Sequence, residues 1–321
     1  MIWRKFKALG TDIIFYVLPE NEKQNILNEA ERIVIKFEKR FSRFIKNNEL
    51  TLFNNSEITE MQVSKTMVEL LKEARNYFIK TDGIYDPTVI GSLEKIGYDK
   101  NFLDIGRQSD NVLNKKNDLE KIKKEFGLRF RMSNVKIEGN KVIKPVGLRV
   151  DFGGIGKGYI VDNLSKTVFS EIKNFLISAG GDILATGNQK DGKGWDVAIQ
   201  NPYKPEENIF FVNTGGKKLG IASSGIAERS GVKNNFQWNH IIDPKSGLSV
   251  LNNILSVTVI SSSATRSDIY AKTVLILGEE AGLEFIEKES DSACIIFTKN
   301  NNIIFSKRAD LYLKNNKYKQ I

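Results

Sequence analysis

The sequence predicts an α+β fold in which helices are mixed with antiparallel strands. Helical and strand periodicities both occur, but not in the strict strand–helix–strand alternation of a doubly wound sheet. Short apolar runs are separated by Gly, Asn and Asp turns, as hairpins require. At 321 residues, 40% hydrophobic and 27% charged, the chain has the make-up of a soluble globular protein. That length suits one large domain or two ordinary ones.

Residues 4–18 alternate towards their end through Ile13, Phe15 and Val17, predicting a first strand entered through Gly10-Thr11. From Asn21 to about Phe41, Ile26, Ala30, Ile33, Val34 and Phe37 recur at helical spacing. A second helix spans Thr66 to Ile79 and is closed by Asp82-Gly83. A lysine-rich segment, read as part helix, follows. Three short strand signals come next, at Val135–Ile137, Val142-Ile143 and Leu148–Phe152. Beyond residue 155, Ile160–Phe169 reads as a helix, and 174–186, 195–200, 209–213 and 254–260 read as strands. Asp268–Leu277 predicts a helix ended by Gly278, and Leu283–Lys288 another. Ala293–Thr298 and Asn302–Ser306 predict a closing hairpin. No repeat of 20–50 residues is present.

Composition excludes several functions. The single cysteine, Cys294, allows no internal disulfide, and the single histidine, His240, allows no His-rich metal centre. The net charge is +9, from 48 Lys and Arg against 39 Asp and Glu. Much of it falls between Arg107 and Lys144, where eleven basic residues face five acidic ones. No aromatic side chain interleaves its densest lysines, Lys115 to Lys124, so a solvated face is expected and no nucleic acid partner. No stretch reaches the ~18 apolar residues of a membrane span. The N-terminus carries no apolar leader and no lipidation cysteine, so a cytoplasmic protein is expected.

The strongest local signal is Val150-Asp-Phe-Gly-Gly-Ile-Gly-Lys-Gly-Tyr159, a predicted strand running through glycines into a helix. Backbone amides at such a helix start can bind a phosphate, and Lys157 can add a point charge. The same glycines would also serve a tight turn by supplying positive φ. The loop fits neither the Walker nor the GxGxxG dinucleotide pattern. Gly83-Ile-Tyr-Asp-Pro-Thr88, Ser178-Ala-Gly-Gly-Asp182, Ser223-Ser-Gly225 and Asn239-His-Ile-Ile-Asp-Pro-Lys-Ser-Gly247 are further glycine–acid or glycine–hydroxyl turns. A lone histidine such as His240 serves structure as readily as catalysis. Asp268 is read near a helix start, where a carboxylate is favoured. Asp268 and Lys272 share one helix face at i,i+4, the spacing of a surface ion pair.

Taken in order, these pieces resemble one family. The series comprises Ala8-Leu-Gly-Thr11, then Phe41-Ser-Arg-Phe44 with Glu49-Leu50 and Asn54, then Gly83–Thr88 and Asp151–Tyr159. It continues through Ala179-Gly-Gly-Asp182, Trp195–Ile199, Ser224-Gly225, His240-Ile-Ile-Asp-Pro244 with Gly247, and Ser267-Asp268. It resembles the ApbE family of FAD:protein FMN transferases from about residue 4 to 290. The resemblance implies a single domain over 1–321, two-lobed, with antiparallel sheets packed with helices and FAD between the lobes. A basic insertion at about 107–144 has no family counterpart.

The resemblance also implies transfer of FMN from FAD to a Ser or Thr hydroxyl of a target flavoprotein, with release of AMP and a need for Mg²⁺. It places Leu9, Phe44, Ile84, Tyr85, Asp86, Asp151, Lys157, His240 and Ile241 at the flavin nucleotide, with Asp268 and His240 as catalytic residues. The metal would be held by a main-chain oxygen of Gly156, by Asp268 and by a threonine four residues on. Lys272 stands at that last position, and Thr273 is displaced by one residue, about 100° round the helix. Asn48 replaces the usual serine before Glu49-Leu50. Two other activities accommodate the same residues: an FAD pyrophosphatase giving FMN and AMP, and an FAD-binding protein without chemistry.

Overall fold

A computed structural model describes residues 1–18, 25–95, 129–226, 230–233 and 236–314. Most of the basic segment, residues 107–128, lies outside the described residues. The chain opens with β1 (Ile2–Ala8) and β2 (Thr11–Leu18), then α1 (Asn25–Phe41), α2 (Glu49–Asn55), β3 (Glu60–Gln62), α3 (Lys65–Lys80) and α4 (Ile90–Lys95). Next come β4 (Lys136–Glu138), β5 (Lys141–Ile143), α5 (Gly156–Lys166), β6 (Asn174–Ala179), β7 (Asp182–Gly187), β8 (Asp196–Gln200), β9 (Asn208–Asn213) and β10 (Gly216–Gly225). The rest is β11 (Ser230–Lys233), β12 (Phe236–Asn239), β13 (Ile242–Asp243), β14 (Leu248–Ser249), β15 (Ile254–Ser261), α6 (Ala264–Leu277), α7 (Glu279–Lys288), β16 (Ala293–Thr298) and β17 (Ile303–Phe305).

These elements group into two compact units. The first comprises Met1–Lys36, Lys157–Gly225 and Asn253–Ile321, and the second Phe37–Gly156 and Ile226–Asn252.

The first unit is built on a sheet of order β1-β2-β6-β7-β10-β15-β16-β17, with every neighbouring pair antiparallel. Every residue of β16 is buried, so this strand is covered on both faces. Ala293, Ile295 and Phe297 join Val197, Ile199, Phe210 and Val212 of the β8–β9 hairpin in one apolar cluster. Truncating a side chain such as Phe297 to alanine would cost about 3–5 kcal/mol. Helix α6 packs on β10 and β15 and is buried nearly all round, which its lack of a polar face dictates.

The strand expected to be entered through Gly10-Thr11 is β2, and an unexpected strand, β1, precedes it through the turn Leu9-Gly10, with Ala8 opposite Thr11. Both turn residues have positive φ, 55° and 67°. This is the twist that two-residue hairpins favour, and Leu9 is an uncommon residue to adopt it.

In the second unit, α2 has no counterpart among the predicted elements, because seven residues are too few to display a period. Its start is nonetheless a capping box: Thr51 N–H donates to Asn48 Oδ1 at 2.8 Å, and Asn48 N–H to Thr51 Oγ1 at 3.0 Å. Asn48 thus does the capping that a serine would do. Glu49 then accepts from Ser64 N–H (2.8 Å) and from Arg40 (2.5 Å), tying the starts of α2 and α3 to the end of α1.

The strand expected at 148–152 is not a strand. The amide side chain of Asn54 stands in for a neighbouring strand, accepting from Val150 N–H at 2.9 Å and donating to Val150 C=O at 2.8 Å. Among the described residues no helix is long and apolar enough to cross a membrane.

Candidate active site

In the first unit, site residues collect at one end of the sheet. Gly180 and Gly181 turn β6 into β7 at positive φ, and a Cβ on Gly180 would fall 2.4 Å from Thr11 Oγ1. The turn therefore lies against the Leu9-Gly10 hairpin, and only glycine permits that approach. Asp182 follows at once and is 1% exposed. Its Oδ2 accepts from the Lys157 ammonium, which α5 presents one residue after its start. Burial, and then the charge of Asp268, push the Asp182 carboxyl up to about 6, against the opposing pull of Lys157 and Lys272.

Asp268 lies in the second turn of α6. The helix begins four residues earlier than expected, because Ser263 is its N-cap and accepts from Arg266 N–H at 3.1 Å. Ser267 lies within the helix, and its hydroxyl donates to Gly220 C=O at 2.9 Å. The carboxylate at the mouth of α6 is instead Asp162 of α5. Asp162 accepts from Ala264 N–H (3.0 Å), Thr265 N–H (2.9 Å), Thr265 Oγ1 (2.5 Å) and Ser263 Oγ (2.8 Å). This clamp sets Lys157 of α5 relative to Asp268 of α6. Nothing local in the sequence marks Asp162, apart from its place on the helix that follows the glycine loop.

The Asp268–Lys272 pair is not at the surface. Its side chains are 1% and 17% exposed, and the Lys272 ammonium donates to Asp268 Oδ1. The other oxygen, Asp268 Oδ2, is buried without a hydrogen-bond partner. Thr273 is turned away from this carboxylate and donates its hydroxyl to Ile269 C=O at 2.9 Å. Cys294 is buried in β16, and burial pushes its thiol up to about 12, which removes it as a nucleophile.

In the second unit, the remaining predicted residues form two groups. Asp86 is buried and accepts from Thr88 N–H (3.0 Å) and from Arg131 Nε (2.5 Å). Arg131 also donates to Gly83 C=O at 2.7 Å, so Asp86 fixes the turn that holds the buried Ile84 and Tyr85. Pro87 C=O accepts from Asp151 N–H at 2.8 Å, joining this turn to the glycine loop. The Asp151 carboxylate lies 3.7 Å from Arg43, whose guanidinium stacks 4.4 Å from the centre of the exposed Phe44 ring. Gly156 ends the loop, its N–H donating to Phe152 C=O at 2.6 Å.

The second group surrounds His240, which is half-buried. Asn239 anchors it by donating to Val250 C=O (2.8 Å) and accepting from Ile241 N–H (3.0 Å), while Ile241 itself is buried.

A model of the ApbE family matches residues 9–296. This chain belongs to the ApbE family. Among its relatives, a protein of Vibrio cholerae named FAD:protein FMN transferase is 28% identical over 269 residues, 83% of this chain and 77% of that one. One of the same name from Haemophilus influenzae is 26% identical over 86% of this chain and 79% of its own length. Solved ApbE structures share the fold. Flavin transferase ApbE from Vibrio cholerae superposes with a TM-score of 0.79 at 24% identity, covering 97% of this chain and 99% of that one. The ApbE protein of Thermotoga maritima reaches 0.83 at 21% identity, covering 98% and 99%. The ApbE fold, mixed helices and antiparallel sheets, is thus common to chains with few identical residues.

Proposed function

We propose that this chain transfers FMN from FAD to a hydroxyl of a target flavoprotein. The observation that carries this reading is the ApbE match along residues 9–296, with relatives matched over more than three quarters of their own length bearing that activity in their names. In the transfer, a Ser or Thr oxygen of the acceptor bonds to the flavin-side phosphorus. The pyrophosphate bridge to the adenylate breaks, and AMP leaves.

The chain's own groups supply binding and charge. The amides at the start of α5 and the Lys157 ammonium suit an anionic pyrophosphate. Leu9, Phe44, Ile84, Tyr85, Asp86, Asp151 and Ile241 are proposed to contact the flavin nucleotide, and His240 to accept the hydroxyl proton. Asp268 Oδ2, buried and without a donor, fits a cation. Mg²⁺, when bound, would neutralise charge on the phosphoryl oxygens, and Asp268 is the side chain that would hold it, with the main-chain oxygen of Gly156.

The test is incubation with FAD and Mg²⁺, with and without candidate flavoprotein acceptors encoded beside the gene. Flavin fluorescence on the denatured acceptor is expected. AMP release without labelled acceptor would identify a pyrophosphatase instead, and FAD binding without turnover a non-catalytic binder. Affinity should also favour FAD over FMN, because the glycine loop is suited to a pyrophosphate.

A further inference from the structure

We propose that Lys272 is the resident cation of the Asp268 site, and that it sets how tightly a divalent ion is held there. The inference rests on the FMN-transfer reading for its consequence in catalysis, but on geometry alone for its consequence in binding.

Asp268 and Lys272 stand one turn apart on α6, and the ammonium donates directly to Oδ1. The carboxylate is 1% exposed and its second oxygen has no donor, so one oxygen is left unclaimed beside a fixed positive charge. A second buried pair, Asp182 with Lys157, is near enough for the Asp268 charge to act on Asp182. Two carboxylates and two ammonium groups sum to zero. A divalent ion arriving at Oδ2 therefore meets a site already neutralised, with an ammonium on the adjoining oxygen. Among the described residues no group of three or more His, Cys, Asp or Glu could hold a metal ion in its place. Thr273 offers no compensating oxygen, because its hydroxyl is turned to Ile269. The ammonium itself is left as a donor and positive charge next to Asp268, able to face a phosphoryl oxygen.

The test measures Mn²⁺ binding by the loss of the free-ion electron paramagnetic resonance signal, with no flavin present. Lys272→Gln should bind Mn²⁺ at least ~10-fold more tightly than the native chain, since it removes the charge beside Oδ2. Adding Asp268→Asn should return the affinity to the native level. Lys272→Met, which retains the stem, serves if the Gln variant does not fold. Equal affinity of native and Lys272 variants would overturn the proposal, as would tight binding that survives Asp268→Asn. A Mg²⁺ titration of FMN transfer should then show a lower midpoint for the variant. If no protein transfers FMN, the functional reading fails while the Mn²⁺ measurement still decides the role of Lys272.

Discussion

Asp162 and Asp268 are buried carboxylates on helices that touch, and they differ in how their oxygens are used. Asp162 accepts from two backbone amides and two hydroxyls, all within the α5–α6 junction. Asp268 accepts from one ammonium and leaves Oδ2 buried without a donor. A buried anion with both oxygens bonded to its own fold is a clamp. One with an oxygen left over is the candidate for a group outside the chain, because native interiors rarely leave such an oxygen unmet. The contrast teaches that burial alone does not tell these two carboxylates apart, whereas the use of their oxygens does.

The largest effect that would break this comparison concerns Asp268. Asp268→Asn is expected to lower FMN transfer roughly a thousandfold, in line with removing a preorganised charge from a phosphoryl site. FAD affinity by calorimetry and the urea midpoint should both stay near native. Asp162→Ala should do the opposite, with a stability loss of about 3 kcal/mol in urea denaturation, because four donors lose their acceptor. Should the two variants behave alike, the distinction between clamp and site is wrong.

A smaller effect sharpens the geometry of the same junction. A Cβ on Gly158 of α5 would lie 2.6 Å from the Cα of Thr265, a backbone atom that cannot turn aside. Gly158→Ala should therefore cost about 2 kcal/mol by thermal melting, through overpacking.

The next concerns pH. Burial and the charge of Asp268 hold the Asp182 carboxyl at about 6, above its ordinary 3.8. Between those values the folded chain binds a proton that the unfolded chain has released. The contribution of this group to stability is therefore full below 3.8 and is lost as pH rises through about 6. Asp182→Asn should flatten the pH dependence of the melting temperature across that window. Neutralising Lys115, Lys116, Lys123 and Lys124 together should have the smallest effect, with FAD turnover unchanged. A large loss would give the basic segment a part in the site.

Hairpins and helices were readable wherever the signal was local. The α3 span at 65–80 and the strands at 196–200, 208–213 and 293–298 follow from side-chain period and from the turns that bound them. The order of short glycine–acid stretches sufficed for the ApbE resemblance, because each stretch is contiguous. Three features were misread for want of a partner in view. The segment at 148–152 has strand-like residues, but it is paired by the Asn54 side chain, 96 residues away. β1 gives no signal of its own because Arg4 interrupts the inward series Ile2, Phe6 and Ala8. Asp268 looked like a helix-start residue because the true cap, Ser263, is one of three successive serines.

What the sequence determined by itself was therefore the kind of fold, the family and the inventory of charged groups. Those depend on period, turn chemistry and residue order along the chain. Only the tertiary structure decided what each charge does. It brought Asp162 to an amide 103 residues further on and buried Asp182 beside Lys157. It also moved the Asp268–Lys272 pair from the expected surface into the interior, one carboxylate oxygen still unclaimed. The physical reason is that a charge's energy depends on its surroundings, and those are supplied by segments that the chain brings together only when it folds.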